Sequence, residues 1–116
     1  MNSNLKQYEV WLADLNPRFG TEPGKKRPVV IVQTDALNSA GHPSTLVCPV
    51  STNVIKGATI LRIHLSNKEG GTSKPSDILA DQVRAIDNKR FTKRIGVLSA
   101  ASRKALQGSL KIIFNL

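Results

Sequence analysis

Three cations stand directly before the most apolar run of the sequence. Lys25, Lys26 and Arg27 precede Pro28, and the β-branched run Val29–Val32 follows at once. A solvated turn needs one such charge, so three of them beside a buried strand indicate that an anion binds there. An arginine anchored at the start of a rigid strand suits phosphate oxygens, because its planar fork donates two parallel hydrogen bonds.

The other residue types limit the available chemistry. The sequence contains no cysteine and histidine cluster at zinc-ligand spacing, no phosphate-binding P-loop and no dinucleotide-binding glycine pattern. His42 falls in a predicted turn and His64 in a predicted strand, where solvated or structural roles are expected. The eight carboxylates are scattered, which disfavours a two-metal nuclease site. We therefore expect no metal and no other cofactor.

Arginine, lysine, hydroxyl groups and one well-placed glutamate, Glu22, remain, and these groups can cleave RNA. The 2′-hydroxyl of RNA lies next to the scissile phosphate, so in-line attack requires no metal-activated water. The protein has to orient the strand, neutralise charge on the phosphorane and assist two proton transfers. The residue types are therefore compatible with a ribonuclease that acts without a metal.

The composition is that of a small globular chain with a strong positive bias. At 116 residues the chain has room for one hydrophobic core, which predicts a single domain over residues 1–116. Seventeen Lys and Arg against eight Asp and Glu give a net charge of +9, and the excess lies after Gly24. This bias predicts a polyanionic partner, either nucleic acid or a very acidic protein. Charge that only maintains solubility is the alternative.

The apolar segments indicate where the protein acts. No apolar run approaches the ~20 residues of a membrane span, and the N-terminal residues lack the pattern of a signal peptide. The single cysteine, Cys48, lies in an apolar strand pattern, which predicts a buried and inert thiol in a reducing compartment. We therefore expect a cytoplasmic protein with no membrane association.

The hydrophobic pattern predicts five or six short strands, a small helix and a closing helix. Strands are predicted over residues 8–15, 27–34, 44–52, 58–65, 77–87 and 93–99. The fifth of these is interrupted by a polar kink at Asp81 and Gln82. Asp35 and Gly41 should begin and end the small helix, and Ser99 should cap the closing helix. The elements predict a mainly β chain, folded as a strongly bent small barrel with a C-terminal α-helix.

Four segments occur in an order that is more specific than any of them alone. They are "VWLADLNPRFGTEPGKKRPVVIV", "VCPVST", "ILADQVRAID" and the terminal helix. The most specific part is a spaced pattern, Asp14-x-x-Pro17-x-x-Gly20-x-Glu22 followed by Arg27-Pro28. In this arrangement the chain resembles the MazF/PemK (Kid) toxins of bacterial toxin–antitoxin pairs over nearly its whole length. The resemblance implies an SH3-like small β-barrel with appended helices, a homodimer, and a cognate acidic antitoxin.

The resemblance also implies catalytic roles. Arg27 matches the arginine that contacts the scissile phosphate, and Glu22 matches a loop glutamate near the active site. Ser51 falls where the family usually has a catalytic threonine, so the hydroxyl is kept while the residue type differs, and Thr52 could share the role. Structural roles are the alternatives: Arg27 could merely pair with Glu22, and Ser51 and Thr52 could form a turn.

RNA contacts are implied for a wider set of residues. Asp81 and Gln82 match an acidic-Gln pair that lines the base-reading groove. Phe19 is an aromatic residue in a polar loop, where it can pack against the barrel or stack on a nucleobase. The full set of expected RNA-binding residues is Phe19, Thr21, Lys25, Lys26, Thr52, Asn53, Lys56, Asp81, Gln82 and Arg84.

The resulting hypothesis is a sequence-specific, metal-independent endoribonuclease, or mRNA interferase, that cleaves single-stranded RNA. Attack by the 2′-hydroxyl would leave a 2′,3′-cyclic phosphate and a 5′-hydroxyl. Two alternatives stay open. A nucleic-acid-binding barrel without cleavage is one, because Ser51 replaces the usual threonine. A gyrase-directed toxin resembling CcdB is the other, although the C-terminus "KIIFNL" lacks the Trp-Gly-Ile ending of that family.

Overall fold

The chain is mainly β in the parts that the structure describes. The structure is a computed structural model, and it describes residues 4–17, 19–22 and 24–116. The elements are β1 (Glu9–Asp14), β2 (Lys26–Ile31), α1 (Asp35–Ser39), β3 (Ser44–Ser51), β4 (Arg62–Leu65), β5 (Ser76–Leu79), β6 (Arg84–Asp87), β7 (Phe91–Val97) and α2 (Ala100–Phe114). Single turns of 3-10 helix lie at Ala80–Gln82 and Asn88–Arg90, and Glu69–Gly71 forms a tight turn in which Gly70 has a φ of 67°.

The strands form one antiparallel sheet in the order β4-β5-β3-β2-β1-β7, and β6 also pairs with β3. The long strand β3 has two partners in succession: its start pairs with β6, and its end, at Val50 and Ser51, pairs with β5. The helical turn Ala80–Gln82 separates these partners, which confirms the predicted kink at Asp81 and Gln82. The sheet is barrel-like but not closed. The predicted fold class, mainly β with a C-terminal helix, is confirmed.

Strand β2 lies between β1 and β3 in the sheet, and both of its faces are buried by side chains. Val30 belongs to one buried cluster, with Cys48 and Leu106, whereas its neighbours Val29 and Ile31 belong to the other. Burial on both faces explains the uninterrupted apolar run that follows Pro28 in the sequence. Cys48 is fully buried, as predicted, and burial raises the pKa of its thiol to about 12.

The closing helix forms where the sequence predicts it. Ser99 is the N-cap of α2, and its side chain accepts a hydrogen bond from the backbone N–H of Ser102. Leu106 is fully buried, and Leu110 and Ile113 pack against the same cluster. In the described ranges, no helix combines the length and apolar character that crossing a membrane would require.

The predicted strand over residues 58–65 is wrong in its first half. Only β4 is extended and paired, and the side chains of Ile60 and Leu61 before it are exposed. The apolar residues Ile60 and Leu61 therefore do not mark the buried face of a strand. Its pairing partner β5 spans four residues, so the ladder between them covers only residues 62–65.

Other predicted boundaries also shift. Thr34 rather than Asp35 caps α1, because the Asp35 carboxylate accepts a hydrogen bond from the backbone N–H of Gln7 instead. Strand β2 consequently ends at Ile31, before this cap. Strand β7 covers residues 91–97 instead of 93–99. The predicted stop at Gly41 is consistent with its φ of 78°, just beyond the end of α1.

Two glycine segments, in the turn at Glu69–Gly71 and in β7, pack backbone against backbone. A Cβ atom on Gly96 would lie 2.4 Å from the carbonyl oxygen of Gly70, and one on Gly71 would lie 1.9 Å from that of Ile95. Neither neighbour is a side chain that can rotate away, so both positions require glycine. Gly108 in α2, by contrast, has open space around its Cα.

This contrast predicts opposite effects for two identical substitutions. Gly96→Ala should lower the free energy of unfolding by about 1–3 kcal/mol, because the new methyl group forces two backbone segments apart. Gly108→Ala should raise it by up to about 1 kcal/mol, because alanine favours the helix. Urea unfolding followed by circular dichroism measures both. Equal effects of the two substitutions would contradict the described packing.

Candidate active site

Arg27 is held between two strands at one end of the sheet. It is the second residue of β2 and pairs in register with Ala13 of β1. Its Nε donates a hydrogen bond to the carbonyl oxygen of Gly24 at 2.9 Å, and its Nη1 lies 3.5 Å from the carbonyl oxygen of Val50. The half-buried guanidinium is therefore tethered to the loop before β2 and to the end of β3.

Arg27 lines a basic cleft that we call the Arg27 cleft. It consists of two depressions of about 460 and 490 Å³, which share Lys25, Arg27, Ser51 and Asn53. The remaining lining residues are Leu12, Asn16, Thr21, Gly24, Lys26, Pro28, Val50, Thr52, Lys74 and Leu79. Among the described lining residues there are four cations and no carboxylate, so the cleft favours an anionic ligand.

The hydroxyl groups of the cleft lie at the end of β3. Ser51 is the last residue of that strand and is half-buried, whereas Thr52 is exposed. The Ser51 hydroxyl oxygen accepts a hydrogen bond from the backbone N–H of Asn53 at 3.1 Å. This is the turn-forming role considered for Ser51, and the hydroxyl can still donate its own proton to a ligand in the cleft.

The loop that carries the lysines is fixed at its base. The side-chain oxygen of Asn16 accepts a hydrogen bond from the backbone N–H of Lys25 at 2.6 Å. Arg90 donates from Nη1 to the carbonyl oxygens of Asp14, at 2.9 Å, and of Asn16. The first contact joins the two sides of the loop, and the contacts of Arg90 join its β1 side to the turn before β7. Asn16 and Lys74 line the cleft although the sequence pattern did not indicate them.

The structure brings together seven of the predicted residues and places the other six outside the cleft lining. Thr21, Lys25, Lys26, Arg27, Ser51, Thr52 and Asn53 line the cleft. Glu22 forms an ion pair with Arg84 of β6, with 3.7 Å between Oε1 and Nη1. Within the described residues, that buried Nη1 atom has no hydrogen-bond partner. Asp81 and Gln82 lie in the turn between β5 and β6, and Lys56 and Phe19 are exposed, Phe19 at 68%.

A buried carboxylate beside the cleft was missed from the sequence. Asp77 of β5 pairs in register with Ser51, and its side chain is fully buried. Its oxygens accept hydrogen bonds from the backbone N–H of Ile55, from Arg62, and pair with Nδ1 of His64. Burial acts to raise the pKa of Asp77, but these contacts outweigh it and lower the pKa below its ordinary value of 3.8.

A sequence signal for this cluster does exist. Arg62 and His64 are two positions apart in β4, so they share one face of the strand. A carboxylate directly before the apolar run Ile78–Ala80 of the next predicted strand requires such cationic partners, because an unpaired buried charge is very costly. His64 thus has a structural contact, as expected, and exposed His42 contacts the carbonyl oxygen of Ser44 in a turn.

In the parts of the chain that are described, no three His, Cys, Asp or Glu side chains are grouped so that they could hold a metal ion.

Fold and cleft together define an open, barrel-like protein with a site arranged for an anion. The family of PemK-like, MazF-like toxins of type II toxin–antitoxin systems matches residues 6–114. The endoribonuclease MazF of Staphylococcus epidermidis is 31% identical over 112 residues, which make up 97% of this chain and 92% of that protein. The chain therefore belongs to the PemK-like, MazF-like toxin family.

Solved structures show the same fold. The Mycobacterium tuberculosis toxin MazF-mt6 has a TM-score of 0.72 at 25% identity, covering 93% of this chain and 97% of that chain. MazF from Deinococcus radiodurans has a TM-score of 0.80 at 23% identity, covering 97% of both chains. The MazE–MazF structure from the same organism has a TM-score of 0.76 at 18% identity, again over 97% of both chains.

The lowered pKa of Asp77 predicts that the free energy of unfolding falls at low pH. Because the pKa is lower in the folded state than the ordinary 3.8, the stabilisation is complete above that value and is lost as the pH falls through the folded pKa. Asp77→Asn should therefore lower the free energy of unfolding at pH 7 by about 3 kcal/mol and weaken the loss in acid. Urea titrations at several pH values measure this.

Asp87→Asn is the matched control for Asp77→Asn. Asp87 is exposed, and its side chain accepts a hydrogen bond from the backbone N–H of Lys89. Asparagine preserves that acceptor, so this variant should keep the stability and acid profile of the parent. If the free energy of unfolding of Asp77→Asn depended on pH as that of the parent does, Asp77 would not be the source of the lost stability in acid.

Proposed function

We propose that this protein is a sequence-specific endoribonuclease that cleaves single-stranded mRNA as the toxin of a type II toxin–antitoxin pair. The observation that carries the proposal is the Arg27 cleft, in which a tethered guanidinium lies among lysines and beside the Ser51 hydroxyl. Membership of the PemK-like, MazF-like family supports it, as does the S. epidermidis relative, which carries the name endoribonuclease.

The proposed reaction is transesterification within the RNA. The 2′-hydroxyl oxygen attacks the adjacent phosphorus, the bond from phosphorus to the 5′-oxygen breaks, and a 2′,3′-cyclic phosphate and a 5′-hydroxyl result. Arg27 stabilises the charge that develops on the phosphorane, because its hydrogen bonds hold it in place before the reaction begins. The nucleophile belongs to the substrate, so no metal-activated water is required.

Two proton transfers accompany this step. The 2′-hydroxyl loses a proton, and the departing 5′-oxygen gains one. Ser51, alone or with Thr52, positions a phosphate oxygen or relays one of these protons. Glu22 forms its ion pair with Arg84 and is not among the described residues that line the cleft, which favours a role in orienting RNA over one in proton transfer.

The surrounding residues are proposed to bind the RNA strand. Lys25, Lys26 and Lys74 neutralise backbone phosphates, so log affinity should fall by about 0.7 per log unit of salt for each phosphate contacted. Exposed Phe19 offers a face on which a base can stack. Base reading is assigned to Asp81 and Gln82 in the turn between β5 and β6. Further RNA contacts are assigned to Thr21, Asn53, Lys56 and Arg84.

The proposal extends to the partners of the protein. Solved relatives include MazE–MazF from D. radiodurans and a mycobacterial endoribonuclease in complex with its cognate antitoxin. For this chain we propose a homodimer that acts in the cytoplasm and is restrained by a cognate acidic antitoxin. The positive cleft suits an acidic segment that is disordered alone and folds along the toxin when it binds.

The proposal predicts that Arg27→Ala removes cleavage while the fold is kept. Loss of one transition-state donor should reduce the rate by about 10²–10³. Arg94→Ala is the control, because Arg94 lies on β7 and pairs with Glu9 outside the cleft. Rates on a long mixed-sequence RNA, with unfolding curves of each variant, give the answer. Near-normal cleavage by Arg27→Ala would remove this residue from the mechanism.

A second prediction concerns the antitoxin. If its carboxylates occupy the positions of RNA phosphates, inhibition should be competitive with RNA. Charge reversal at Lys25 and Lys26, as K25E and K26E together, should weaken binding of both ligands. Titration with the antitoxin and with uncleavable 2′-deoxy RNA measures the two affinities. An antitoxin that bound this variant undiminished, or bound together with the RNA analogue, would contradict the shared site.

A further inference from the structure

The segment between β3 and β4 carries cleft residues but has little packing of its own. It begins with Thr52 and Asn53, which line the Arg27 cleft. The large apolar side chains that follow, at Val54, Ile55 and Ile60, are all exposed. Burial of apolar surface therefore does little to fix this segment. Its position depends on polar contacts.

Arg62 and Asp77 supply those contacts from outside the cleft. Oδ2 of Asp77 accepts a hydrogen bond from the backbone N–H of Ile55 at 3.0 Å. Nη1 of Arg62 donates to the same Oδ2 at 3.0 Å and to the carbonyl oxygen of Asn53 at 2.8 Å. The ion pair thus binds the segment on either side of Val54, at the carbonyl group of Asn53 and the N–H group of Ile55. Neither Arg62 nor Asp77 is among the described residues that line the cleft.

Stability alone does not account for this arrangement. A buried ion pair is weak evidence for stability, because desolvation of the two charges offsets much of their attraction. A well-packed apolar pair could fill the same space, but it could not bind a backbone N–H and a backbone carbonyl of an exposed segment. The charged pair therefore provides something that packing cannot, namely a fixed place for the chain that leaves Ser51.

We propose that Arg62 and Asp77 are positioning residues for catalysis, acting through the Ser51–Ile55 segment. The inference rests on the function proposed above. Ser51, at the end of β3, pairs in register with Asp77 of β5. The carboxylate that accepts the hydrogen bond from Ile55 therefore belongs to the strand that fixes the position of Ser51. Loss of the pair lets the Ser51 hydroxyl and Asn53 move relative to Arg27, and a displacement of about 1 Å is enough to cost about 100-fold in rate.

Arg62→Gln and Arg94→Gln form a matched pair for the test. Both arginines donate to a mostly buried carboxylate, Asp77 at 3.0 Å and Glu9 at 2.6 Å, but only Arg62 also binds the segment. Arg62→Gln should lower kcat by about 10–100-fold, with a smaller effect on KM and on the affinity for 2′-deoxy RNA. Arg94→Gln should leave both constants close to those of the parent. A parent-like kcat in Arg62→Gln would overturn the inference.

Rescue and coupling separate positioning from simple loss of stability. A single nitrogen of Arg62 makes both hydrogen bonds, so Arg62→Lys should recover much of the activity that Arg62→Gln loses. In a Ser51→Ala background, Arg62→Gln should have a much smaller effect on kcat, because the group that it positions is gone. Full additivity of the two substitutions, or no rescue by lysine, would show a merely structural role.

Hydrogen exchange provides a readout that needs no activity. The amides of residues 53–56 should exchange faster in Arg62→Gln than in Arg94→Gln, with the core strands unchanged. Asp77→Asn weakens the same contacts from the other side, because one amide oxygen replaces two carboxylate oxygens and the charge is lost, and it serves as the second variant if Arg62→Gln does not fold. A parent that fails to cleave RNA would overturn the proposed function and this inference together. An active parent with unchanged exchange and unchanged kcat in these variants would overturn only the inference.

Discussion

The burial of β2 on both faces is the constraint on which the site depends. Strand β2 pairs with β1 and β3 and is fully buried from Val29 to Ile31, so it has no freedom to shift. The backbone at the start of the strand is therefore fixed as well. Arg27 occupies that place, with Gly24 and Val50 carbonyls holding its side chain. A rigid strand thereby presents a preorganised positive charge, as the proposed stabilisation of a phosphorane requires.

The distribution of the carboxylates makes this charge effective. Glu9, Asp77 and Glu69 are engaged inside the fold: Glu9 with Arg94, Asp77 with Arg62, and Glu69 with hydroxyl groups at the start of α2. The few anionic groups of the chain are thus largely used for internal contacts. The lysines of the Arg27 cleft face no carboxylate among the described lining residues, and the net charge of +9 acts on ligands from outside.

Local signals in the sequence predicted most of the fold, and several of the residues that they singled out line the Arg27 cleft. The apolar run after Pro28, the Ser99 cap and the polar kink at Asp81 each depend on neighbouring residues, and all three are found. The prediction that a strand begins at residue 58 was wrong, because Ile60 and Leu61 are apolar but exposed. For Asp77, the spacing of Arg62 and His64 is a local signal, but it does not give the register that pairs β4 with β5. The contact of Asn16 with Arg90 and the place of Lys74 in the cleft join chain segments far apart in sequence, which periodicity and composition do not register. The same holds for the ion pair between Glu22 and Arg84.

The chemical identity of the cleavage products distinguishes attack by the 2′-hydroxyl from attack by an activated water. A single-stranded RNA is incubated with the protein in EDTA, and the new ends are determined by mass spectrometry, beside a copy with one 2′-deoxyribose at the cut site. The account predicts a 2′,3′-cyclic phosphate and a 5′-hydroxyl from the RNA, and an intact but bound deoxy copy. Ends bearing a 5′-phosphate, cleavage of the deoxy copy, or activity that requires added magnesium would contradict it.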